Sequence, residues 1–170
     1  CEKCNLSLNR NKFVFGTGDP NADLLLVGEG PGEEEDSKGE PFVGKAGKLL
    51  DKILKAIGYD RNDNVFIANI VKCRPPENRN PLISEVEKCT PYLVNQINLI
   101  KPKLIVALGK VAGQTLLKKD LLIKEMRKNT HAFNDIPLIV TYHPAALLRN
   151  PSLKIDVWED FQCIRDLLKS

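Results

Sequence analysis

Apolar residues in this chain gather into four short runs: ADLLLVG (22–28), NVFIANI (64–70), KLIVALG (103–109) and PLIVTYH (137–143). Each run is nearly continuous in apolar side chains rather than alternating, which predicts strands buried on both faces of a parallel sheet. The stretches between them carry helical spacing. Residues 44–58, GKAGKLLDKILKAIG, set Leu49, Leu50, Ile53, Leu54 and Ile57 on one face, with Gly58 as the stop. Residues 81–101 continue the helical pattern, and Pro91 within it predicts a kink or a division into two helices. GKVAGQTLLKK (109–119) predicts another helix. The last, DVWEDFQCIRDLLK (156–169), has Val157, Phe161, Ile164 and Leu168 as its stripe.

Strands alternating with helices predict one α/β domain over residues 1–170, a three-layer α/β/α sandwich around a central four-stranded, mainly parallel sheet. Ligands in such folds collect at the carboxyl ends of the strands. The segments found there are the most unusual in the chain: GEGPGEEED, NIVKCRPPENRNP, GKVAG and YHPAALLRNP. A site on that edge is expected. The first of these is glycine-rich, as a phosphate loop would be, yet Glu33, Glu34, Glu35 and Asp36 follow at once. It is not G-x-G-x-x-G and no P-loop lysine follows, so a nucleotide-binding reading is set aside.

Composition adds little. With 170 residues, 42% apolar and 28% charged, the chain suits one globular core. No apolar run approaches the ~20 residues of a membrane span, and no secretory or transit signal is visible. The expectation is a cytoplasmic protein without membrane contact. The chain starts at Cys1 without a methionine, which gives the expectation that residues precede it. Net charge is only +3, but residues 101–128 hold eight basic side chains against two acids. That is either a solvated lysine-rich face or a surface for a polyphosphate partner.

The cysteines change the picture more. Cys1 and Cys4 form a C-x-x-C, and Cys73 and Cys89 are separated by fifteen residues. A C-x-x-C fixes two thiolates on one turn, half of a tetrahedral sulfur site. Four thiolates suit zinc or an iron–sulfur cluster, and the separation of the pairs leans toward the cluster. Cys163 fits a buried free cysteine on the last helix.

Taken together, CEKC, VGEGPGEEED, GEPFVGKAGKLLD, NIVKCRPPENRNP, KCTPYL, IVALG and HPAALLR run in order over almost the whole chain. They resemble the iron–sulfur uracil-DNA glycosylases, family four of the uracil-DNA glycosylase superfamily. Gly30 departs from the alanine common there. The resemblance implies a structural four-iron four-sulfur cluster on Cys1, Cys4, Cys73 and Cys89. It also implies excision of uracil from single- or double-stranded DNA by a monofunctional enzyme of base excision repair. A monomer is expected, and a sliding-clamp partner is left open.

The resemblance also assigns roles within the motifs. Phe42 would stack on the flipped base, and Asn69 would read its Watson–Crick edge. His143 would donate to uracil O2 as charge develops. Gly28 and Gly30 would let the backbone close on the base. The water is not assigned by the resemblance, because Gly30 stands where related glycosylases carry an aspartate. The candidates are Glu29, which would position water or touch the uracil edge, Asn78 in support, or backbone carbonyls. Glu35 would exclude the thymine methyl. Leu147 or Leu148 would wedge into the stack and Arg149 would hold a phosphate. His131, in a polar stretch, reads as surface. A non-catalytic DNA-binding module would need the cysteines but not His143 with Asn69. The covalently trapping relative carries a basic, histidine-containing insertion that this chain lacks.

Overall fold

The computed structural model describes residues 1–170. Six strands form one sheet: β1 (Thr17–Gly18), β2 (Leu24–Gly28), β3 (Val65–Asn69), β4 (Leu104–Leu108), β5 (His131–Phe133) and β6 (Ile136–Thr141), in the order β1-β3-β2-β4-β6-β5. The four apolar runs supply the central strands β3, β2, β4 and β6, all mutually parallel. The expected four-stranded sheet is therefore enlarged by two antiparallel edge strands. These are two and three residues long and half-buried at most, too short to leave a pattern.

Seven helices surround the sheet: α1 (Glu33–Lys38), α2 (Lys45–Ala56), α3 (Ile83–Ile100), α4 (Lys110–Leu117), α5 (Ile123–Arg127), α6 (Pro144–Arg149) and α7 (Lys154–Lys169). Alternate residues of each central strand serve opposite faces, as the pleat requires. Leu25, Val27, Ile105 and Val140 pack with Leu93, Ile97 and Leu116 from α3 and α4. Leu24, Leu26, Val106 and Ile139 pack with Leu50, Leu54, Phe161 and Ile164 from α2 and α7. The stripe predicted for α7 is the stripe used. Gly58, just past α2, takes a left-handed φ of 83° and ends that helix as expected.

Two expectations fail here. Pro91 does not divide its helix: α3 runs as one element for 18 residues. Burial of Cys89, Leu93, Gln96 and Ile97 along it outweighs the lost backbone bond. Cys163 is exposed rather than buried, because it falls outside the stripe of α7.

Candidate active site

Order along the sheet puts β3 on one side of β2 and β4 on the other, so the chain reverses direction of travel at β2. A crevice opens at the carboxyl edge of such a switch point. A cavity of about 600 Å³ lies there, lined by all four segments marked out in the sequence. Glu29, Gly30, Glu35, Phe42, Asn69, Asn78, His143 and Arg149 line it together.

Parallel pairing sets Gly28 beside Asn69 at the two strand ends. A Cβ on Gly28 would stand 2.5 Å from Asn69 Oδ1 and 2.7 Å from the Phe42 ring. Glycine is what allows amide and ring to meet. Asn69 is only 2% exposed, and its Oδ1 has no hydrogen-bond partner. A buried, unpaired acceptor costs on the order of 1–3 kcal/mol. An acceptor kept in that condition at a cavity wall is set to receive a donor from a ligand.

Phe42 adopts φ 53°, in the left-handed region. For an L-residue this costs about 1–2 kcal/mol, so the surroundings must impose it. Its ring lies against His143, with centroids 5.3 Å apart and planes inclined by 28°.

His143 caps the start of α6, its Nδ1 accepting from the Ala145 amide at 3.0 Å. Burial, with a smaller effect from the Arg149 charge, lowers its pKa to about 4. The ring is therefore neutral at physiological pH. With Nδ1 an acceptor, the single ring proton sits on Nε2. Gly109 (φ 98°) comes so close that a Cβ there would stand 3.1 Å from His143 Cβ.

The acidic run forms the first turn of α1. Glu35 does not extend into solvent: its carboxylate accepts from the amides of Gly32 (3.2 Å), Val43 (3.2 Å) and Gly44 (3.4 Å). Asp36 is buried and accepts from the Asn11 and Lys12 amides and from Asn11 Nδ2. Adjacent acids thus anchor two different segments. Desolvation raises the pKa of Glu29, so this acid holds its proton more readily than usual. Asn78 is exposed at the rim, its Oδ1 accepting from Arg74 Nε at 2.8 Å. Glu77 and Asn78 are both left-handed, with φ of 54° and 57°.

Other expectations divide. Leu147 is 2% exposed and belongs to the core, whereas Leu148 is 47% exposed. Of the two, only Leu148 presents its side chain to solvent, because Leu147 joins the core on the other face of α6. Among the basic residues of 101–128, Lys110 lines the cavity. Arg127 is not part of an open face but pairs with Asp156 and Asp160. His131 opens β5 and its ring bonds the Met126 carbonyl at 2.8 Å, so it is half-buried in a strand, away from the cavity.

Arg61 was not marked in the sequence. Its guanidinium holds Asp51 at 2.6 Å and the Phe42 carbonyl at 2.6 Å. Lys72 also escaped notice: it is wholly buried, donating to Gln96 Oε1 at 2.6 Å.

A second, tight cavity of about 10 Å³ is lined by Cys1, Cys4, Cys73 and Cys89. Arg10 Nη1 approaches Cys73 Sγ at 3.2 Å, and the Lys72 amide donates to Cys89 Sγ at 3.3 Å. Burial pushes the Cys89 thiol up, against the Lys72 amide and ammonium, which act to lower it. The sulfurs surround the cavity without converging: no three His, Cys, Asp or Glu side chains come close enough to hold a single ion. No helix is long and apolar enough to cross a membrane.

Comparison with known proteins agrees with this geometry. The sequence model of the Uracil DNA glycosylase superfamily matches residues 15–162. A Type-4 uracil-DNA glycosylase of Sulfurisphaera tokodaii is 45% identical over 98% of this chain and 80% of its own. The Type-4 uracil-DNA glycosylase of Archaeoglobus fulgidus is 43% identical over 98% of this chain and 87% of its own. That of Thermotoga maritima is 43% identical over 99% of this chain and 90% of its own. The chain belongs to the uracil-DNA glycosylase superfamily.

Proposed function

We propose that this protein is a uracil-DNA glycosylase that hydrolyses the bond between uracil and deoxyribose in DNA, the initiating step of base excision repair. The observation that carries the reading is the unpaired Asn69 amide oxygen in the cavity wall. Uracil offers N3–H to that acceptor and O4 to the amide donor beside it, while cytosine offers no proton at N3. The flipped base stacks on Phe42, and Glu35 walls the pocket near C5. Tied to three amides, Glu35 cannot swing aside for a thymine methyl.

In the reaction, the C1′–N1 bond breaks and its electron pair leaves with uracil. Charge collects at O2, where the Nε2–H of the neutral His143 donates. A water adds to the cationic C1′ and gives up its proton to solvent, from which the departing uracil anion takes one back. Glu29 orients that water from within the cavity, with Asn78 supporting it from the rim. Arg149 and Lys110 hold flanking phosphates, and Leu148 fills the stack.

Cys1, Cys4, Cys73 and Cys89 are the ligand set that a four-iron four-sulfur cluster would use. A single zinc would need all four sulfurs about 2.3 Å from one point. A cluster distributes its ligands over separate irons, which suits four thiols spread round one cavity, with N–H donors on two of them. Such a cluster would tie Cys1 and Cys4 to Cys73 and Cys89 and take no part in hydrolysis.

The test is release of uracil from a uracil-containing oligonucleotide. Wild type leaves an abasic site, and His143→Ala is slower by on the order of a hundredfold or more. A wild type that binds the oligonucleotide but releases no base would instead mark a non-catalytic uracil-binding module.

A further inference from the structure

The strained Phe42 is held from both sides by charge. Upstream and at Phe42 itself, the chain turns its carbonyls to Arg61, which donates to Pro41 O (3.2 Å) and Phe42 O (2.6 Å). Downstream, the Val43 and Gly44 amides go to Glu35. A cation takes the carbonyls and an anion takes the amides of one short loop, and the residue between them is forced into a left-handed turn. Arg61 is itself fixed, because Asp51 of α2 accepts from its Nε at 2.6 Å. Gly47 completes the arrangement: a Cβ there would stand 1.8 Å from the Phe42 carbonyl oxygen. Arg61 is not among the residues lining the cavity, and its link to the site runs through the Phe42 backbone.

We propose that Arg61 is a positioning residue for uracil excision, presetting the Phe42 ring in the plane the flipped base must meet. The inference rests on the excision reading above. It is also specific to arginine's chemistry: a planar fork reaches the Pro41, Phe42 and Gly47 carbonyls and a carboxylate at once, which a lysine ammonium cannot do in fixed geometry. A ring set in advance spares the enzyme from ordering it as the base arrives.

A double-mutant cycle separates this role from simple stapling of α2. Arg61→Gln should lower kcat/KM for a uracil oligonucleotide by roughly ten- to a hundredfold, and weaken inhibition by free uracil in parallel. In a Phe42→Ala background the same change should cost less than about twofold, since no ring remains to be aimed. Arg61→Lys should stay close to Arg61→Gln. Should Arg61→Gln fail to fold, Asp51→Asn frees one side of the guanidinium and should show a smaller loss with the same non-additivity. Losses that multiply across the cycle in an active wild type overturn this inference alone. A wild type that releases no uracil overturns the excision reading, and this inference with it.

Discussion

Two of the cavities on this molecule draw on the segment that leaves β3. Asn69 faces the larger, Cys73 the smaller, and Asn78 returns to the larger. In the larger, polar groups are left wanting: Asn69 Oδ1 has no partner, and burial disfavours charge on both Glu29 and His143. In the smaller, two of the sulfurs already receive N–H donors and little space remains. On the proposed reading, the difference separates a region that gives up stability for a ligand from one that holds the chain together. Within this one segment Cys73 turns to the smaller cavity, while Asn69, Pro75, Asn78, Arg79 and Asn80 line the larger.

The largest effects should come from exchanging these characters. Asn69→Leu removes the unpaired acceptor, so excision should fall by at least about a hundredfold while the melting temperature holds or rises. Cys89→Ser should do the reverse in kind, losing visible absorbance and melting temperature together. An Asn69→Leu protein that melts earlier would break the comparison.

A smaller contrast runs along α6. Leu147→Ala should cost about 2–5 kcal/mol in denaturant unfolding, as core truncations do. Leu148→Ala should stay within about 0.5 kcal/mol of wild type, yet lower excision from duplex DNA more than from single strands. Equal sensitivity on the two substrates would remove Leu148 from the stack.

The smallest effect is the pH response. His143 titrates near 4 in the folded chain against an ordinary 6.5, so between these values the unfolded chain binds the extra proton. The contribution is fully present above about 6.5 and fades as pH falls toward 4. His143→Gln should flatten melting temperature against pH within that window by a few degrees, roughly. Unchanged slopes would show that the imidazole is not desolvated.

The central sheet was legible because continuous apolar runs are what doubly covered parallel strands require. The loops at its carboxyl edge were legible because their composition suits no core. What the sequence hid depends on contacts made at a distance. Glu33 to Asp36 look like one solvated run, and only the folded chain shows Glu35 and Asp36 turned to separate amide sets. Arg61 sits in an ordinary polar turn, and its partners lie 10 to 20 residues away. Leu147 and Leu148 are indistinguishable until α6 packs one of them inward. Arg127 looked like part of a lysine-rich face, and its acids come from α7, more than 25 residues on.

The two short edge strands have a consequence of their own. A sheet of four parallel apolar strands would expose long unpaired ladders at both margins, a template for pairing with other chains. Here β1 offers two residues and β5 three, both antiparallel. Gly18 in β1 takes φ 129°, outside ordinary strand geometry, and a Cβ there would stand 2.2 Å from the Val65 carbonyl. A neighbouring molecule would find too little straight backbone to extend the sheet. The apolar strands that build the pocket are thereby kept from becoming a seed for aggregation.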